Sequence, residues 1–179
     1  ITLGVAGTLM AGVWQMLGTA SQNRDAATMA SQALAVSAAS QQYINMQRSS
    51  LLALGGLATL NSVVRVKIQD SDTGDTTDSV QGAGYLPEAF ANRNGYGQAY
   101  QLYVRREDGG TLGSPDDDDK LVGLLITAGG VLISDTTGAR VASLLAPAGG
   151  FLYADSNPAA PTAATTAQGA NGAWQIDLT

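Results

Sequence analysis

The sequence predicts an α+β protein in which one long N-terminal helix meets a small antiparallel sheet. Three observations predict it. Residues 1–47 contain no Pro and only two ionic side chains, Arg24 and Asp25. Every other ionic residue lies from Arg48 onward, the asymmetry of an apolar rod joined to an ordinary polar head. Beyond residue 60, apolar and polar residues alternate in short runs bounded by Gly and Asp, which is the period of strands. The expected division is a helix over 1–47, with 1–18 as its membrane or filament-core segment, and an α+β head over 48–179.

The helix follows from composition and spacing. Ala, Met, Gln and Leu are strong helix formers, and the first Pro is Pro87. Met29, Ala33, Val36, Tyr43 and Ile44 recur at helical spacing and form one apolar stripe, with Ser37, Gln41, Asn45 and Arg48 on the other side. At ~1.5 Å per residue the rod spans roughly 70 Å, so its apolar half is expected to protrude while its amphipathic half packs on the sheet.

Residues 1–18, ITLGVAGTLMAGVWQMLG, carry no charge. As a helix they would measure ~27 Å, close to a bilayer core of about 30 Å. A signal peptide would need a basic leading region and a cleavage site, and here the helical pattern continues past the place where cleavage would fall. A buried core helix would not continue as a nearly uncharged rod. Gly4/Thr8, Gly7/Ala11 and Thr8/Gly12 set small side chains four apart, the spacing that lets helices approach closely in an apolar medium. The expected helix-packing set is Gly4, Gly7, Thr8, Ala11, Gly12 and Trp14, continued by Met29, Ala33, Val36 and Tyr43.

In the head, 49–60 reads as a turn and a short helix. Residues 61–69 read as a strand with Val64, Val66 and Ile68 on one side, and 70–84 as a polar loop. Residues 98–106 read as a strand with Tyr100, Leu102 and Val104 together. An acidic turn leads to 120–127, read as a central strand. Ser134 or Asp135 can cap a helix through Leu145, with Val141, Leu144 and Leu145 inward. Strands are expected at 151–154 and 173–178, with a loop rich in Ala, Thr and Pro between them.

Composition excludes several functions. A net charge of −6 without a Lys/Arg cluster repels a phosphate backbone, so no nucleic-acid partner is expected. With no Cys and no His, thiolate nucleophiles, disulfides, ordinary zinc sites and imidazole catalysis are absent. No cofactor is implied, and the chain is read as not an enzyme. Asp116–Asp119 with Lys120, and Asp70, Asp72, Asp75 and Asp78, lack the EF-hand spacing and read as solvated acidic loops. Arg105 and Arg106 read as strand-end charge.

The order of parts resembles a type IV pilin. LVGLLITAGG (121–130), RVASLLAPAGGFLYA (140–154) and GAWQIDL (172–178) look like the constant region of shufflon-type, PilV-like pilins of the type IVb class. AFANRNGYGQAYQLYVRR (89–106), with its N-x-YGQ-x-Y pattern from Asn94 to Tyr100, is similar to an extended segment of the same family. The resemblance covers essentially the whole chain. It implies an extracellular pilus subunit, stored in the cytoplasmic membrane and then packed against copies of itself or other pilins. It also implies a cell-surface receptor as a partner, with conjugation, adhesion and motility all open as uses.

The chain departs from the family in two ways. The usual glutamate near the mature N-terminus has no counterpart before Asp25, and the head disulfide common in type IVb pilins has no cysteines to form it. The expected function is a structural filament subunit, with a minor or tip-located pilin as its close variant. The alternative is a membrane-anchored adhesion module that does not polymerise.

Overall fold

The computed structural model describes residues 2–59, 62–107, 109, 119–145, 148–151, 166–169 and 175–177, with side chains described from Ser21 to Gly150. Helix α1 runs unbroken over Thr2–Met46, and α2 follows at Arg48–Leu52, with a 3₁₀ turn at Gly55–Leu57. Strands β1 (Val63–Val66), β2 (Ala99–Glu107) and β3 (Lys120–Ala128) precede helix α3 (Asp135–Leu144). Three short strands follow: β4 (Gly150–Phe151), β5 (Thr166–Gly169) and β6 (Gln175–Asp177). The α+β class and the antiparallel pairing agree with the expectation. Among the described residues the strands form two three-stranded sheets, β1-β2-β3 and β4-β5-β6, where one was expected.

The chain divides into two compact units, residues 33–131 and residues 1–32 with 132–179. The core of the 33–131 unit is built from α1 and the first sheet. Val36, Ala39, Tyr43 and Ile44 of α1 join Val64, Val66, Ile68, Tyr100, Leu102 and Val104, all buried. Alternation along β1 and β2 sends these strand residues inward, because a strand's side chains change face at every residue. The helix comes close to the sheet at Gly123. A Cβ there would stand 2.8 Å from Cδ1 of Ile44, so the absence of a side chain sets the approach.

Strand β3 corrects the sequence reading. It was expected as a central strand, yet β2 is central and β3 lies at the edge. Its register with β2 pairs Leu102 with Leu125, Val104 with Gly123 and Arg106 with Leu121. The apolar run of β3 therefore divides between the two faces of the sheet.

Residues 70–84 are also more than a polar loop. Val80 and Ser79 are fully buried, and the segment lies along the outer edge of β1. Asp75 N–H donates to the Arg65 carbonyl, and Val80 N–H donates to that of Lys67. In return, Arg65 N–H donates to Asp75 Oδ2 at 2.7 Å, and Lys67 N–H donates to Thr76 Oγ1. An exposed strand edge invites pairing with other chains, and this segment occupies it.

In the other unit, Ser134 caps α3 as expected, its Oγ accepting from the Thr137 N–H at 3.3 Å. The inward face differs: Thr137, Gly138 and Ala142 are buried, Val141 and Leu145 are half-buried, and Leu144 is exposed. The stripe is set by the 138/142 spacing, and Leu144 lies off it. Gly149 returns against Leu145 and the Ala142 carbonyl, where any side chain would collide. Strand β5 lies within the stretch expected to be a loop and forms the middle of the second sheet. Its Ala/Thr composition hid it, lacking the bulky alternation that marks a strand.

Candidate functional site

The expected packing helix divides into two parts. Gly4, Gly7, Thr8, Ala11, Gly12 and Trp14 fall on α1, and their side chains lie outside the described residues. Met29 is buried and Ala33 is half-buried against the core, while Val36 and Tyr43 are core members. The last two pack within the chain's own core. Tyr43 is held further by its hydroxyl, which donates to the Asp78 carbonyl at 3.1 Å, and by an edge-on contact with the Tyr85 ring. Burial pushes its phenol pKa up despite the opposing pull of the Thr76 hydroxyl, and the Asp78 charge adds to the rise. Burial alone raises that of Tyr100.

The exposed side of α1 between Ser21 and Met46 includes Ala27, Thr28, Ser31, Leu34, Ala35 and Ala38, with Arg24 and Asp25 as its only charges. Leu34 is 53 % exposed and Met46 is 72 % exposed, which are large apolar side chains open to water.

The acidic residues serve the fold. Asp72 Oδ2 accepts from the Gln69 N–H and from Asn92 Nδ2, and Asp70 Oδ1 accepts from the Ser79 hydroxyl at 2.6 Å. Asp70, Asp75 and Asp78 are exposed as expected and Asp72 is half-buried, and Asp70, Asp72 and Asp75 also accept from donors around the edge of β1. Among the described residues no cluster of three or more carboxylates could hold a metal ion. Asp116 to Asp118 lie outside the described residues.

Arg106 and Asp119 overturn their surface reading. Both side chains are fully buried, and Arg106 Nε donates to Asp119 Oδ2 at 2.6 Å. The guanidinium also donates to the Ala58 carbonyl at 3.0 Å and to that of Leu57 at 3.4 Å. The sequence held a signal for this: continuing Tyr100, Leu102, Val104 by one more step places Arg106 on the core face. Arg105, on the outer face, pairs with Glu107.

The N-x-YGQ-x-Y segment forms a closed polar clasp. Asn94 Oδ1 accepts from the N–H groups of Tyr96 and Gln98, and Asn94 Nδ2 donates to Gln98 Oε1. Gln98 Nε2 donates onward to the Val131 carbonyl. Gly97 (φ +71°) turns the chain, and Gly130 (φ +65°) lies so close to Tyr96 and Gln98 that a Cβ would fall within 2.6 Å of their backbones. A shallow hollow nearby is lined by Gln69, Asp72, Phe90, Asn92 and Arg93. Asn92 there is engaged with the backbone, accepting from the Tyr100 N–H and donating to the Tyr100 carbonyl.

No family model, curated protein or solved structure matches this chain. Among the described residues no helix is long and apolar enough to cross a membrane, a finding that leaves the side chains of residues 1–20 outside it.

Proposed function

We propose that the chain is a structural subunit of a type IV pilus-like filament, assembled through α1, with a minor or tip-located pilin as the close variant. The observation that carries this reading is the double use of one helix. α1 is a single 45-residue element rooted in the core through Val36, Ala39, Tyr43 and Ile44, and it continues N-terminally into a segment with no ionic residue before Arg24. Apolar helical surface of that kind is stable against lipid or other helices and unstable in water. The pilin-like fold, storage in the cytoplasmic membrane, an extracellular location and a surface receptor all rest on the resemblance of the sequence. The acidic chain gives a nucleic-acid partner no support.

The test is electron microscopy of surface filaments from cells carrying Gly7→Leu. The bulky side chain is expected to reduce filaments sharply by spoiling close helix approach, while the isolated variant keeps wild-type circular dichroism. Normal filament numbers and lengths would remove the packing role. A monomer that stays in the membrane without polymer in wild-type cells would instead support the anchored adhesion module.

A further inference from the structure

We propose that the outer edge of β3 is a strand-addition surface for a second copy of this chain, the two β3 strands running antiparallel. The first observation is the unequal treatment of the two edges of the first sheet. The β1 edge is plugged by residues 70–84, with donors and acceptors matched along Arg65, Lys67 and Ile68. The β3 edge is nine residues long, and among the described residues its only strand partner is β2.

The second observation is composition. The register sets Leu121, Gly123 and Leu125 on the core face and Val122, Leu124 and Ile126 on the outer face. A strand apolar on both faces has the composition of a central strand, flanked on both sides. Natural edge strands are blunted by charge, Pro or bulges, and β3 has a single charge, Lys120, at its first residue.

Length and charge select the occupant. β4, β5 and β6 have two to four residues, β1 is plugged, and β2 is paired on both sides. The matching nine-residue open edge is therefore β3 of another molecule. An antiparallel arrangement sets each Lys120 toward the uncharged Thr127–Ala128 end of its copy, whereas a parallel one would bring the two ammonium groups together. Backbone hydrogen bonds supply the attraction, as in strand addition generally. This pairing is independent of the filament reading, because it uses no residue of α1.

The absence of Cys makes the test direct. Full-length Val122→Cys, Leu124→Cys and Ile126→Cys variants in detergent micelles are oxidised and compared with Val63→Cys. Val63 is more exposed than Val122 and lies on the same outer face, beside the plugged edge. The expected result is disulfide-linked dimer at one or more β3 positions in several-fold excess over Val63→Cys. Adding Val122→Lys and Ile126→Lys to Leu124→Cys is expected to reduce its dimer to the Val63 level without changing circular dichroism. Equal yields at β3 and at Val63, or yields unaffected by the lysines in a folded variant, would overturn the proposal.

Discussion

At the residue scale, the energetics centre on Arg106. A buried ion pair contributes little net stability compared with apolar residues of the same size, but breaking it leaves an uncompensated charge. Asp119→Ala is therefore expected to cost about 3–5 kcal/mol, read as a lowered urea midpoint. The double replacement Arg106→Met with Asp119→Leu should recover most of that loss. Ser40 runs the opposite way. Its hydroxyl is buried on α1 with no hydrogen-bond partner. Ser40→Ala should raise the urea midpoint by up to roughly 1–3 kcal/mol equivalent, because it removes a desolvated, unpaired polar group and improves helix propensity. An unchanged or lowered midpoint would mean that the hydroxyl finds a partner. Neither residue was legible as buried. Helical spacing places Ser40 next to the stripe, but serine reads as polar surface, and charge at Arg106 outweighed the alternation that pointed it inward.

At the element scale, the sheet is defined by how its edges are finished. Asp75→Ala removes an acceptor from the Arg65 N–H and should destabilise by about 1–2 kcal/mol. It should also raise light scattering on prolonged incubation, because the β1 edge is partly opened. Stability loss without any change in scattering would show that the rest of the 70–84 segment suffices as a plug. Most elements could be read from period alone: α1, β1, β2, β3 and α3 all lie where spacing and capping place them. Position within a sheet could not. The apolar run of β3 suggested flanking on both sides, and only tertiary pairing shows it at the edge. The 70–84 segment looked solvated because its aspartates are charged, and which backbone N–H groups they accept from depends on a fold-back that local sequence does not encode. The N-x-YGQ-x-Y pattern was visible, and its clasp geometry was not.

For the molecule as a whole, the buried tyrosines make stability depend on pH in the alkaline range. Tyr43 and Tyr100 hold their protons more tightly when folded than the ordinary phenol value of about 10. Above that value the unfolded chain releases protons that the folded chain retains. Stability should then fall as pH rises, and below it these residues contribute no pH dependence. Denaturation followed between neutral pH and pH of about 11 should show this decline, and Tyr100→Phe should flatten it; an identical slope would exclude Tyr100 as a cause. The N-terminal half of α1 was legible in the sequence only as composition. Absence of charge before Arg24 signals an apolar surrounding, but small residues four apart do not say which helix they meet.

The buried Arg106–Asp119 pair has a further consequence, for the fidelity of strand alignment. Because strand side chains alternate and β2 is held in place by β1, a slip of one residue between β2 and β3 would turn the Asp119 side of β3 away from the core and leave the buried Arg106 guanidinium without its carboxylate. Leucines and valines on both faces of β3 discriminate poorly between the two alignments, since either one buries apolar surface. The single charge pair discriminates strongly, so in this hairpin the least favourable groups to bury are the ones that reject the wrong register.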